Sequence, residues 1–183
     1  MGTTTSVNEF VHLHTHTHYS LLDGLGKPDG YARRAAELGQ PALGLTDHGS
    51  LSGAYQHWKE CNSAGIKPII GVEAYVAPDS RRTKSAVFWG SPEQRRADVS
   101  GSGAYTHLTV VAESPEGLRN LYRLQADSYS QGFYRKPRTD IETLAAHSEG
   151  LICLTGCPGS ATSTLLRLGQ AERARGVCGT LND

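Results

Sequence analysis

The stretch Val11–Gly24, "VHLHTHTHYSLLDG", sets His12, His14, His16 and His18 at every second position and follows them with an acid, Asp23. Side chains of a β-strand alternate between faces. A strand here would therefore gather four imidazoles on one face and Val11, Leu13, Thr15 and Thr17 on the other. A purification tag would be a contiguous, flexible run, whereas these histidines are interleaved with residues that suit a strand. His14 and His16 are the central candidates for chemistry, and His12 and His18 are expected to be supporting or structural.

Working outward, the spacing of Tyr31, Ala32, Ala35 and Leu38 predicts a helix stopped by Gly39. "PALGLTDHG" reads as a short buried strand running into a turn, "SGAYQHWKECNSAG" as a helix and "KPIIGVEAYVAP" as a second buried strand. Residues 79–104 are polar and basic, and are expected to form a surface insertion with a small hairpin. "HLTVVAE" resumes a strand, and Ser114-Pro115 opens a helix. Thr139-x-x-Glu142 reads as a capping box for the next helix, before a last strand at "LICLTGC". Five strands alternating with helices predict an α/β fold with parallel strands.

With 183 residues, 18 basic and 18 acidic groups and a net charge of zero, the chain suits one domain. It has no overall field to draw nucleic acid or membrane. No stretch approaches a bilayer span, and the start lacks the pattern of a secretory signal. A cytoplasmic location is expected. Cys61, Cys153, Cys157 and Cys178 are too few for a disulfide scaffold and are expected to be reduced.

In parallel α/β sheets reactive groups collect at the C-terminal strand ends. His14 and His16 lie on the first strand, His48 ends the second, Glu73 lies on the third and Cys157 ends the last. His107 is the misfit, because it stands at the start of its strand. Imidazoles, carboxylates and one thiol suit zinc, iron or manganese better than calcium or magnesium. His14, His16, Asp23, His48, Glu73, His107 and Cys157 are too many for one tetrahedral ion, which points to a multinuclear site. Asp47 either orients His48 or satisfies a turn. His57 and His147 read as surface residues. Of the basic groups, "GFYRKPR" (132–138), with Phe133 and Tyr134, is the candidate nucleic-acid patch.

The segments "FVHLHTHTHYSLLDG", "PALGLTDHGSLSGAYQ", "AGIKPIIGVEAYVAP", "YTHLTVVAES" and "GLICLTGCP" together resemble the polymerase and histidinol phosphatase (PHP) domain that opens bacterial replicative DNA polymerase III alpha subunits, most closely the actinobacterial type. The resemblance runs over 10–170, with 1–9 as an extension and 171–183 as a divergent tail. It implies a distorted (β/α)7 barrel, incomplete here. It also implies up to three divalent ions, zinc or manganese first and iron next, on His14, His16, Asp23, His48, Glu73, His107 and Cys157. The implied activity is metal-dependent phosphodiester hydrolysis, a 3'-5' exonuclease acting on a DNA 3' end, with the remaining polymerase domains or replisome subunits as partners and no membrane. The family's later Asp-x-His pair and the polymerase region have no counterpart here, so weak activity and no polymerisation are expected of this chain. A non-catalytic scaffold of the polymerase is the alternative, and a free-standing histidinol-phosphate-type phosphatase ranks last.

Overall fold

The computed structural model describes residues 10–94, 100–155 and 157–182, so the extension expected at 1–9 lies outside them. An extended segment and a tight turn lead into α1 (Pro28–Glu37), β1 (Ala42–Leu45), α2 (Ala54–Ser63) and β2 (Lys67–Val76). Then follow β3 (Thr106–Ala112), α3 (Pro115–Ser130), β4 (Arg138–Thr139), α4 (Ile141–Ala146), β5 (Leu151–Leu154), α5 (Ala161–Arg167) and α6 (Ala171–Asn182). Gly39 and Gly65 follow α1 and α2 in the left-handed conformation (φ 71° and 75°) that glycine adopts without steric cost. Ser114 caps α3 by accepting a hydrogen bond from Gly117 N at 3.1 Å. The next cap is not the Thr139 box: Asp140 takes that place, its carboxylate accepting from Thr143 N at 2.9 Å and Thr143 Oγ1 at 2.6 Å.

The α/β class holds, and the strand directions within it are mixed. The sheet runs β1-β2-β3-β5, with β4 also on β2. β1 and β4 lie parallel to β2, whereas β3 is antiparallel to β2 and β5 antiparallel to β3. Two antiparallel steps bring β5 back to the direction of β2. The start of β3 therefore lies beside the C-terminal ends of both, with His107 paired to Tyr75. That arrangement accounts for the apparent misfit of His107.

Five strands form among the described residues, but they are not the five expected. The histidine stretch is extended without becoming a regular ladder strand, and Arg138–Thr139 pairs with Tyr75–Val76 in its stead. Within the insertion the described residues form two 3-10 turns, Pro92–Gln94 and Ser100–Gly103, and no hairpin.

Strand alternation divides β2 and β3 into two faces. Val72, Val76, Leu108 and Val110 join Leu45, Leu121, Leu124 and Leu144 in the main core, while Glu73, Tyr75 and His107 occupy the opposite face. A smaller cluster of Ala32, Ala35, Leu43, Cys61 and Ile66 packs α1 and α2 against β1. His57 belongs with this buried layer and not to the surface, at 1% exposure. Burial lowers its pKa, and its neutral ring donates from Nε2 to Leu43 O at 3.0 Å.

Arg138, from the expected nucleic-acid patch, is also fully buried. Its guanidinium donates to Gly132 O, Ala104 O, Arg81 O and Thr83 O at 2.8–3.2 Å, stapling the insertion to β4. A guanidinium carries five donors in a fixed fork, so it can satisfy several carbonyls that would otherwise be stranded. Arg138→Ala should lower unfolding stability by about 3 kcal/mol. An unchanged urea midpoint would refute this structural role.

Asp140 carries a second test. Burial disfavours its charged form, but hydrogen bonds from Arg81 N at 2.8 Å, from Thr143 and from the Arg81 guanidinium outweigh burial and hold its pKa below the ordinary value. A depressed carboxyl contributes stability above its unfolded pKa of about 4, and that stability is lost as pH falls through the folded value. Asp140→Asn should therefore destabilise at pH 7, and the gap from wild type should narrow in urea titrations on the acid side of pH 4.

Candidate metal centre

The histidine segment reaches the sheet by lying along β1. Gly44 N donates to His12 O at 2.7 Å and Thr46 N to Thr15 O at 2.9 Å. Other donors that a ladder would use turn to side chains: Thr15 N to Thr46 Oγ1 at 2.8 Å, and Thr17 N to Asp47 Oδ1 at 2.5 Å. This diversion is why no regular strand forms. The approach depends on glycine at 44, where a Cβ would stand 2.6 Å from Leu13 O. Asp47 neither orients His48 nor closes a simple turn. Buried, it holds Thr17 through both carboxylate oxygens, with Thr17 Oγ1 donating to Oδ2 at 2.8 Å.

His48 follows β1 and forms an isolated parallel bridge with Glu73. Around Glu73 the expected residues converge. Glu73 Oε2 lies 2.9 Å from His14 Nε2, 2.9 Å from His16 Nε2 and 3.3 Å from His48 Nδ1. Glu73 Oε1 lies 3.0 Å from His107 Nδ1 and accepts from Cys157 Sγ at 2.8 Å. Asp23 extends the cluster, with Oδ2 at 2.7 Å from His16 Nδ1 and 3.3 Å from His48 Nε2. All seven residues named from the sequence are brought together. His12 and His18 turn elsewhere: one ring packs edge-on against Phe10 and the other against Tyr19.

Electrostatics follow from this crowding. Burial opposes the charged form of Glu73, but hydrogen bonds from His107, His14, His16 and Cys157 outweigh it and hold the carboxyl far below its usual range. Burial pushes the His48 pKa down to about 4, helped by His16 and His107, so its ring is neutral at physiological pH. For His16 burial is outweighed by the Glu73 hydrogen bond and the charges of Asp23 and Glu73, and its pKa rises. Burial and the Glu73 charge lift the Cys157 thiol to about 12.

Three overlapping triads could each hold a metal ion: His14–His16–Glu73, His16–Asp23–His48 and His48–Glu73–His107, with their ligand atoms within 4.8 Å of one another. The donor set fits a cation for two reasons. His14 Nε2 and His16 Nε2 lie 3.0 Å apart with Glu73 Oε2 at the same reach from both. Ligands about 2.1 Å from a common ion are separated by about 3 to 3.4 Å, for octahedral and tetrahedral geometry respectively. In addition His48 Nδ1 is buried, lies 3.3 Å from Glu73 Oε2 and makes no hydrogen bond, so a cation there would supply the partner it lacks.

Sequence reading missed the residues that hold the cluster in shape. Ser20 Oγ touches His16 Nδ1, Asp23 Oδ2 and His48 N at 3.1–3.2 Å. Tyr75 stacks on His48, with ring centroids 5.6 Å apart, and meets His107 edge-on. Serine contacts of this kind leave no periodic signal. Tyr75 had one: it lies two residues from Glu73 on the same strand face.

Comparison with known proteins gives the family. The chain is 49% identical over 175 residues to the DNA polymerase III subunit alpha of Mycobacterium tuberculosis, covering 95% of this chain and 15% of that protein. It is 49% identical to the same subunit of Saccharopolyspora erythraea, over 92% of this chain and 15% of that protein. The chain thus spans about 15% of the length of these relatives. A looser likeness joins it to the solved structure of an amidohydrolase from Chromobacterium violaceum, at 20% identity and TM-score 0.39, over 91% of this chain and 53% of that one. The family model for the PHP domain matches residues 12–183, and with the great part of its length covered, the chain belongs to the PHP domain family.

Proposed function

We propose that this chain is a metal-dependent phosphoesterase module that cleaves phosphodiesters at a DNA 3' end, with His14, His16, Asp23, His48, Glu73, His107 and Cys157 as ligands of zinc or manganese. One observation carries the reading: a single buried carboxylate, Glu73, is ringed by four imidazoles and a thiol at 2.8–3.3 Å. Divalent cations bound there would supply Lewis acidity toward a phosphoryl oxygen and a reactive water at neutral pH.

The chain's own residues prepare that site. Burial keeps His48 neutral, leaving one ring nitrogen with a lone pair available to ligate. The surrounding donors keep Glu73 ionised. Asp47 fixes Thr17 and so aims His14 and His16. Cys157 must lose its proton to ligate, so its elevated pKa makes loading at this position easier as pH rises. A DNA 3' end and replisome subunits are the partners this reading implies by likeness to DNA polymerase III alpha subunits. Among the described residues no helix is long and apolar enough to cross a membrane.

Scaffolding is the second reading, favoured by the way Cys157 and the histidines satisfy Glu73 among themselves. Metal content separates the two. After gel filtration without chelator, mass spectrometry should find two or more equivalents of divalent metal per chain, and a loss in His14→Ala. One equivalent or fewer favours the scaffold.

Activity supplies the direct test. The chain stripped and reloaded with manganese or zinc should shorten a single-stranded oligonucleotide from its 3' end only slowly, as the sequence leads one to expect, and His14→Ala should abolish that residual rate. Trimming that persists unchanged in the variant would sink the assignment.

A further inference from the structure

The basic segment 132–138 divides in the structure. Arg138 is buried as a structural staple, but Lys136 is exposed. Its ammonium stands over the Tyr75 ring, 5.5 Å from the centroid, and that same ring stacks on His48 at 5.6 Å with planes 13° apart. One aromatic ring thus joins Lys136 to the wall of the metal cluster.

The turn that carries Lys136 is fixed from several sides. Tyr134 N donates to Lys136 O at 3.1 Å across Arg135, which adopts φ 62°, a left-handed conformation sparsely populated by arginine. Arg138 anchors the turn from below, with its guanidinium 5.0 Å from the Tyr134 ring centroid. Pro137 sits where a side chain on Gly49 would come within 3.2 Å of it, so the turn abuts the residue that follows His48.

Position sets Lys136 apart. Among the described residues it has no carboxylate within ion-pair distance, as is true of several other cations, but Lys136 is the one held over Tyr75, the ring that stacks on His48. A cation held over an aromatic ring keeps its charge free for an incoming anion.

Resting on the phosphoesterase reading above, we propose that Lys136 is a substrate-anchoring residue that binds a phosphate oxyanion beside the metal cluster. Lysine serves this purpose as a point charge and does not need the fixed fork of arginine. The bound phosphate belongs to a nucleic-acid backbone in the reading favoured here, and a small phosphate ester shares the same chemistry.

Chelator-treated full chain and its Lys136→Ala and Lys136→Arg variants would be titrated with fluorescein-labelled oligothymidylate, by anisotropy, across a range of salt concentrations. Lys136→Ala should weaken binding about 5- to 10-fold and reduce the slope of log affinity against log salt by about 0.7, the loss of one single-strand phosphate contact. Lys136→Arg should retain most of both. With the manganese-loaded chain, Lys136→Ala should raise KM and leave kcat within about twofold, because uniform binding is lost.

Equal affinity and equal salt slope in Lys136→Ala would overturn the proposal. A wild type that ignores the oligonucleotide, but whose melting temperature inorganic phosphate raises only when Lys136 is present, would keep the anchor and overturn the DNA reading. Response to neither probe would overturn the anchor as well.

Discussion

A carboxylate cannot stay ionised inside a protein unless its surroundings replace the water it has lost. Glu73, with 1% of its surface exposed, imposes that demand on the middle of β2. Its compensation comes from far along the chain: from the histidine segment, from the turn after β1, from the start of β3 and from the loop after β5. Each of these must be in place for the charge to be tolerated. The same strand carries Val72 and Val76 into the core on its other face. Fold and site are thus two faces of one strand, and damage to the core would reach the cluster through a change in strand register.

Much of this was legible in the sequence because it rests on period and residue type. The helices announce themselves through apolar spacing and glycine stops, and all seven clustering residues are recognisable as metal-ligand types. Strand direction is harder to read. A short apolar run such as "HLTVVAE" looks the same whether it pairs parallel or antiparallel, and only the antiparallel outcome places His107 beside Tyr75. The histidine stretch shows the converse limit. Its alternation is that of a strand, but the hydroxyl of Thr46 and the carboxylate of Asp47 took the hydrogen bonds that a ladder would have used.

Burial of polar groups was least legible. His57 and Arg138 read as surface residues because their types usually are. Each is buried for a reason found in distant segments: a carbonyl of β1 for His57, and four carbonyls for Arg138. Asp140 displaced the expected Thr139 cap for a similar reason, since Arg81, far away in sequence, bonds the same carboxylate. The balanced charge of the whole chain also concealed local order, in that Lys136 has no carboxylate within ion-pair distance among the described residues, whereas Arg81 pairs with Asp140.

Gly44 shows how narrowly such a site can be built. It contributes no ligand and no side chain, but the absence of a Cβ lets Leu13 O and His12 O come close to β1. A methyl group there would have to push back the strip of backbone that carries His14 and His16, while the apolar core on the other side of the sheet remained filled. The penalty would fall on the placement of the histidines. A side chain at this position would displace the backbone that carries the histidines, a kind of inactivation that no survey of ligand residues alone would detect.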